Sequence, residues 1–537
     1  MTAALAAVVA GRGHAPVPSP VRLDELRDDE VLVRIAASGI CHTDLTAIDG
    51  AVPFGFPAVF GHEGAGVVEA TGSAAAGVEP GDRVVLTFDS CGVCARCASG
   101  HPAYCEQFGR RNSAGARPDG SATLRGEGGE VISGSWMAQS SWATFAIARA
   151  SNVVPIDDDV PFAIAAPLGC GVLTGAGTVL GTLRPGPGDR LVVLGAGAVG
   201  LSGMLAAHVS GCGDVVVVEP DAGRRTLALE LGATAAVEPE ELAALLRATR
   251  PADRVLDTVG TPAAVEAALA ALASPGACAT VALRSGANPV TVSQSRLLWG
   301  RSISGVIEGD ARPAALVPML ARLWRAGLFP VDRFIRTFAF GDVDEAVAAA
   351  RSGSAVKPVL VMDPADAVPP APAPTTVPAR LRALAAPGVR ADVDELLAIW
   401  DVLPTVGPAE LRGFWRGRAF DTGHGMLRTL ERAAWVGKHF VSDETVRPIV
   451  CDDGAGGLVA DLRLSRGGGA SLVRMEHRGR VTATMLYDRM PVHDHFVRVD
   501  ADTLLGVMAG EGTLDAGRPF LFLLERAEDP GEIPSRG

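Results

Sequence analysis

The chain has no positive balance of charge. Its 48 Lys and Arg are outnumbered by 61 Asp and Glu, for a formal charge of −13 at pH 7. Nucleic acid and anionic membrane surfaces are bound through clustered cations, so both are disfavoured as partners. An unbroken apolar run of membrane-spanning length is also missing: the longest, Leu191 to Val209, is punctuated by glycines and reads as strand, turn and helix. The opening MTAALAAVVAGRG is apolar but has neither a basic n-region nor a cleavage site, and it reads as a first strand. Internal repeats are absent as well. What remains, 48% hydrophobic and 20% charged over 537 residues, is an ordinary globular composition. That length has room for about three to four domains.

Cysteine is present in a telling pattern. Cys91, Cys94, Cys97 and Cys105 form a C-x2-C-x2-C-x7-C array in one Gly-rich loop. Four thiolates at such spacing wrap a tetrahedral zinc that does no chemistry. Cys41 in GICHTD, His62 in GHEGAG and Cys170 in PLGCG are dispersed candidates for a second ion. Two thiolates and one imidazole leave a fourth position open, as a catalytic zinc requires. The competing reading, a disulfide framework, suits a small secreted domain rather than this chain, and thiolate ligands favour a reducing, cytoplasmic setting. Cys212, Cys278 and Cys451 remain without a role.

Residues 1–157 carry short alternating runs (VLVRIAA, AGVVEAT, DRVVLTF) separated by turn signals, which predicts a β domain. From 158 to 300 strands alternate with Ala/Leu-rich helical segments, the pattern of an α/β nucleotide-binding domain. Residues 301–363 add two helices and a closing strand, KPVLVM, and are expected to complete the first domain. The Pro/Ala-rich run 364–378 reads as a semi-rigid linker. Residues 379–537 open with a helix capped by Asp392 and continue as short alternating strands, which predicts an α+β unit built on an antiparallel barrel or sandwich.

Gly195, Gly197 and Gly200 form a GxGxxG turn directly after the buried run LVVL, and Glu219 ends the next strand. The glycines permit a tight turn and close approach of a pyrophosphate to a helix N-terminus. Glu219 is placed to accept hydrogen bonds from ribose hydroxyls and to repel a 2′-phosphate, which favours NAD. Arg224 and Arg225, just beyond, could hold that phosphate instead, so NADP is the competing reading.

Taken in order, the zinc loop, GICHTD, GHEGAG, PLGCG and the dinucleotide turn resemble the zinc-dependent medium-chain alcohol dehydrogenases over residues 1–363, and SSWATFAIA and PLGCGVLTGAG resemble the aryl- and allylic-alcohol branch. The resemblance implies a GroES-like β domain, a Rossmann domain, two zinc ions per chain, NAD, and assembly as a homodimer or homotetramer through the edge strand near Ser302–Glu308. It assigns Cys41, His62 and Cys170 to the catalytic zinc and Asp44 to orienting His62. Thr43 matches the hydroxyl that takes the alcohol proton, and Glu63 is close enough to approach the metal. His42 and Lys357 match pyrophosphate contacts, and Thr174 lies near the nicotinamide. One departure stands out: many relatives carry a histidine where this chain has Thr46, so proton release here would pass through water or ribose. For Thr43 and Asp44 the competing reading is turn chemistry after a strand.

Gly413-Phe414-Trp415-Arg416-Gly417, WVGKHF and YDRMPVHDHFVRVD resemble a bacterial domain family named for GxWxG, joined to a domain of unknown function, over residues 380–528. The tryptophans read as core. The polar set His439, Tyr487, Asp488, His493, Asp494 and His495, with Asp421, His424 and Lys438, would suit proton transfer if it faced an apolar interior. HDH as solvated turn chemistry is the alternative. The whole chain is thus expected to oxidise primary allylic, benzylic or terpenoid alcohols to aldehydes, with small lipophilic molecules as its substrates. The appended module is expected to shift the double bond of the product, or else only to bind lipophiles or serve assembly. An NADPH-dependent aldehyde reductase is the other alternative.

Overall fold

The computed structural model describes residues 1–284, 287–368 and 372–536. The chain divides into two compact units, one running to Ala373 apart from residues 209–211 and the other from Pro374 onward. The division falls inside the Pro/Ala-rich run. Residues 369–371 of that run lie outside the described residues; Pro364–Asp366 is a 3-10 turn, and the helix Val377–Leu384 begins before the run ends.

In the first unit, alternating apolar strands build two sheets of five and seven strands that enclose the β core. Val31, Val33, Ile35, Val68, Val84 and Leu86 pack there with little or no exposure. The distant strand Lys357–Val361 returns to this domain, with Val359 opposite Gly39 and Val361 opposite Ala37. That pairing carries Lys357 to the start of the helix His42–Ile48, which Cys41 precedes.

The nucleotide domain is a six-stranded parallel sheet whose central strand, Arg190–Leu194, pairs with Asp214–Val218 on one side and Ala252–Asp257 on the other. Continuous Val/Leu runs suit strands covered on both faces. The boundary expected at residue 301 is corrected by this sheet: Arg301–Gly305 pairs in parallel with Leu272–Thr280 and is its edge strand. Among the described residues no single helix is long and apolar enough to cross a membrane.

The second unit is a closed antiparallel barrel of eight strands. In order around it they are Trp435–Phe440, Gly413–Ala419, Phe520–Ala527, Thr503–Gly510, Val492–Asp500, Arg480–Tyr487, Ala470–His477 and Val446–Asp452, which pairs again with Trp435–Phe440. Closure removes the exposed edges that an open sheet would present. The interior is apolar and aromatic, with Trp415, Phe440, Met485, Phe496 and Phe522 buried together. Two glycines make this packing possible. A Cβ on Gly417 would come within 2.0 Å of the Trp435 ring, and one on Gly506 within 2.3 Å of the Phe522 ring. The helix Val393–Val402, with Asp392 accepting from the amides of Asp394 and Glu395, packs Trp400 edge-on to His477 at 5.9 Å.

Candidate active site

Two groups of metal-ligand atoms occur among the described residues, each with all ligand atoms within 4.8 Å of one another: Cys91, Cys94, Cys97 and Cys105, and Cys41, His62 and Cys170. In the first, Sγ separations of 3.5 Å (Cys94–Cys97) and 4.0 Å (Cys91–Cys97) bracket the spacing of about 3.8 Å expected for four Zn–S bonds of about 2.3 Å. Backbone amides of Cys94 and Cys91 point at the sulfurs of Cys91 and Cys105 at 3.3 Å, a geometry that supports thiolates. All nine cysteines are free thiols.

The second group is organised around Asp44, which has no exposure. Its carboxylate accepts from the Cys41 amide (3.0 Å), the Gly61 amide (3.2 Å), the Trp136 indole (2.9 Å) and His62 Nδ1 (2.7 Å). The last bond fixes the imidazole so that Nε2 faces the two sulfurs. That atom is buried and has no hydrogen-bond partner among the described residues. Hydrogen bonding with Cys170 draws the Cys41 thiol well below its ordinary range, and the same bond together with burial pushes Cys170 well above it. A dication would let both thiols ionise and would satisfy the orphaned nitrogen, so the donor set fits zinc.

Glu63 and Lys357 lie directly behind these ligands. The Lys357 ammonium donates to both Glu63 oxygens, at 2.8 and 2.9 Å, and to the Ile40 carbonyl at 3.3 Å. Glu63 also accepts the Gly171 amide at 3.0 Å, which ties it to the residue after Cys170. Glycine is required at position 39, where a Cβ would lie 1.9 Å from a Glu63 oxygen.

Cys41, His42, Thr43 and Thr46 share one cleft of about 810 Å³ with Gly195, Gly197, Glu219 and Arg224. The three turn glycines act differently. Gly195 takes a φ of +96°, Gly197 faces open space, and a Cβ on Gly200 would strike the Gly195 carbonyl at 1.9 Å. They serve the turn, the ligand approach and the helix packing respectively. Glu219 accepts the Ala196 amide at 2.7 Å, so it braces the turn as well as ending its strand. Arg224 donates to the Gly353 carbonyl at 3.0 Å, and Arg225 is held by the carbonyls of Glu219 and Pro220 and by Glu238. Thr174 is buried on the helix after Cys170 and does not line the cleft.

In the barrel the structure splits the polar set. Lys438, Asp494 and Tyr487 meet inside: Lys438 Nζ lies 2.8 Å from Asp494 Oδ2 and 3.5 Å from the Tyr487 hydroxyl, which is 3.4 Å from the same oxygen. The remaining residues do not join them, contrary to expectation. Strand alternation turns His493 and His495 outward, where His495 bonds Thr484 at 2.8 Å and stacks on His477 at 4.1 Å. His439 packs against Phe414 and reaches Asp529 at 3.4 Å, while Asp488 sits exposed in the turn after its strand. Asp421 pairs with Arg390, and His424 bonds the Thr513 carbonyl.

Comparison with known proteins agrees with this geometry. Residues 27–158 match the alcohol dehydrogenase GroES-like domain and residues 198–324 the zinc-binding dehydrogenase family. A geraniol dehydrogenase of Castellaniella defragrans is 44% identical over 366 residues, 67% of this chain and 97% of that protein. The chain belongs to the zinc-dependent medium-chain alcohol dehydrogenases. The crystal structure of a benzyl alcohol dehydrogenase from Acinetobacter calcoaceticus superposes with a TM-score of 0.65 at 36% identity, covering 68% of this chain and all of that one. An alcohol dehydrogenase zinc-binding domain protein from Burkholderia ambifaria gives 0.66 at 40% identity, covering 67% and 99%. Residues 398–456 match the GXWXG protein family and 468–526 a domain of unknown function.

Within this dehydrogenase unit, the Thr46 hydroxyl donates to the His42 carbonyl at 2.8 Å, so it serves its own helix. Sequence reasoning missed Glu308. It lies beside Cys170 in a turn with a φ of +49°, buried, with Oε2 unpartnered among the described residues. Burial lifts its carboxyl to about 7. No motif surrounds it, and only the positive φ, invisible in sequence, sets it apart. His101 pairs with Asp310 at 2.8 Å.

Proposed function

We propose that the first unit oxidises primary allylic, benzylic or terpenoid alcohols to aldehydes, reversibly and with NAD. The observation that carries this is one cleft that runs from Cys41 of the Cys41–His62–Cys170 cluster to Glu219 at the end of a nucleotide strand. Zinc held by those three residues would supply Lewis acidity to an alcohol oxygen, and Cys91, Cys94, Cys97 and Cys105 would hold a second, structural ion. Asp44 keeps His62 oriented. The Thr43 hydroxyl stands 3.7 Å from the Cys41 sulfur, beside the place where the alcohol proton would leave. His42, on the cleft wall, would approach the pyrophosphate. Glu63 with Lys357 sets the charge behind the ligands, and Lys357 would reach the pyrophosphate only by leaving that carboxylate. Thr174, behind the cleft wall, would come near the nicotinamide only if the cleft opened toward its helix. The test is an alcohol panel with NAD or NADP, with every product identified by mass spectrometry; turnover confined to saturated alcohols would overturn the substrate class.

NAD is favoured because Arg224 and Arg225 already serve backbone carbonyls, and Glu219 would repel a 2′-phosphate. Replacing Glu219→Ala is expected to lower kcat/KM for NAD roughly tenfold to a hundredfold, the value of one or two lost hydrogen bonds to a charged group. It should raise the relative use of NADP; steady-state kinetics with both nucleotides measures this. A dimer or tetramer would form through the edge strand Arg301–Gly305, next to which Leu298 and Trp299 are 69% and 73% exposed. A monomer in light scattering at micromolar concentration would contradict it. Nine free thiols suit a reducing cytoplasm.

For residues 379–537 we propose double-bond isomerisation of the unsaturated carbonyl product. The supporting observation is an acid, an amine and a phenol converging in an otherwise apolar barrel. Covalent linkage would raise the local concentration of product. Supplying a β,γ-unsaturated aldehyde to the full chain in deuterated buffer without NAD is expected to give migration with deuterium uptake. A passive lipophile-binding module would give neither.

A further inference from the structure

Lysine is nearly absent from this chain. Of 48 basic residues only Lys357 and Lys438 are lysines. Among the described residues, arginine and not lysine makes the surface ion pairs of the strong bases, for example Arg351–Asp49, Arg478–Asp401 and Arg412–Asp443. Both lysines are instead buried against a carboxylate, Lys357 with 3% and Lys438 with 4% of the side chain exposed. An ammonium differs from a guanidinium in one chemically decisive way: it can lose a proton and become a nucleophile.

Lys438 has a proton acceptor in contact and aromatic rings around it. Its nitrogen lies 5.0 Å from the centroid of Phe522, 5.8 Å from Tyr487 and 6.0 Å from Trp435. Its polar contacts are Asp494, Tyr487 and the Pro448 carbonyl at 3.1 Å. Asp494 is poorly solvated for an ionised carboxylate. Both of its partners converge on Oδ2, while Oδ1 is buried and has no partner among the described residues. Asp44, by contrast, receives four donors. Passing one proton across 2.8 Å converts the buried ion pair into a neutral amine and acid, which removes two charges from an apolar interior.

Partly buried side chains lie close to the amine. Ala419, Trp435, Tyr487 and Val492 are partly buried, pack on the barrel core and gather at one barrel end, as the pairings Ala419–Phe522, Ala470–Tyr487 and Val492–Gly510 require. Beside Lys438 the space next to Gly417 and Gly506 is filled by the rings of Trp435 and Phe522, whose rotation would make room for a lipophilic chain.

We infer that Lys438 forms an imine with an unsaturated aldehyde inside the barrel. The inference rests on the proposed isomerase reading and gives it a chemistry. Asp494 takes a proton from the ammonium, and the freed lone pair attacks the carbonyl carbon. Asp494 returns that proton to the oxygen to give a carbinolamine, then relays a second proton from the nitrogen to the hydroxyl, so that water leaves and a protonated C=N replaces C=O. The iminium acidifies the α or γ hydrogen, which the regenerated Asp494 carboxylate removes to give a dienamine and returns at the other carbon. Water then hydrolyses the conjugated iminium and frees aldehyde and amine, with no oxidant or reductant consumed.

The test is reductive trapping. The full chain is mixed with a C10 enal and sodium cyanoborohydride without NAD, then examined by intact mass and peptide mapping. We expect one adduct, of aldehyde mass less one oxygen, on the peptide containing Lys438; with two lysines and the N-terminus as the amines, its position is unambiguous. Lys438→Arg, which keeps a cation beside Asp494, should lose the adduct, and Asp494→Asn should slow its formation at least tenfold, with circular dichroism checking the fold of each. Labelling confined to Lys357 or the N-terminus, or none with several enals, overturns the inference on the wild-type protein alone. Deuterium uptake without an adduct would overturn the imine and leave isomerisation standing. An adduct without uptake would support the imine and overturn isomerisation.

Discussion

Cys41→Ala and His62→Ala are each expected to abolish NADH formation from an allylic alcohol, by about three orders of magnitude or more, while the protein stays folded. The magnitude follows from losing roughly 4 kcal/mol or more of charge stabilisation at the reacting oxygen. The fold is expected to survive because neither side chain supports the β core. Cys41 caps a short helix without a side-chain capping bond, and His62 contacts the scaffold through the single Asp44 bond and the edge of Trp136. Metal content supplies a second readout. Elemental analysis should find two zinc ions per wild-type chain and about one in either variant, because the four-cysteine loop is built from other residues. Full turnover by either variant in metal-free buffer, or an unchanged zinc content, would overturn the assignment of this cluster.

These sites were legible to different degrees, for physical reasons. The four-cysteine loop was readable because a local spacing encodes the whole tetrahedron. The dinucleotide turn was readable because its strand, turn and helix are contiguous. Cys41, His62, Cys170 and Asp44 are far apart in sequence, and they were found through their flanking motifs rather than from spacing. Glu308 has no such flank. It reaches the cluster through a turn whose positive φ is set by tertiary packing, so nothing local distinguishes it from a surface glutamate.

The barrel shows the limit most clearly. Side chains on a strand alternate, so HDH at residues 493–495 can send only its middle residue or its outer pair inward. Choosing between these requires the register, which sets Asp494 opposite Met485 and Met508 of the apolar interior. The pairing of Trp435–Phe440 with Val446–Asp452 slips between Trp435 and Gly437 and again between Gly437 and His439. The same strand's pairing with Gly413–Ala419 is regular, and it sets Lys438 opposite Trp415, inside, and His439 opposite Phe414, outside. The sequence therefore named the right strands and, for three histidines, the wrong face.

Asp44→Ala is the substitution expected to damage stability and chemistry together. Four donors converge on this carboxylate, and three of them belong to the scaffold: the amides of Cys41 and Gly61 and the indole of Trp136. Removing the acceptor leaves these buried donors unpaired in a pocket without exposure, a cost of roughly 3–5 kcal/mol by analogy with breaking a buried charged network. It also frees His62 to rotate and lowers the basicity of its ring, which typically costs ten- to a hundredfold in metal affinity or activity. Asp44→Asn separates the two effects. The amide fills the same volume but offers one acceptor oxygen and turns an NH2 toward donors, so stability should fall less than in the alanine variant while zinc is still lost more readily to a chelator. Thermal melting and chelator-release kinetics, measured beside His62→Ala, decide the matter. If Asp44→Ala melted with the wild type and held its zinc as tightly, the four hydrogen bonds would be incidental and the metal ligands would be positioned by the backbone alone.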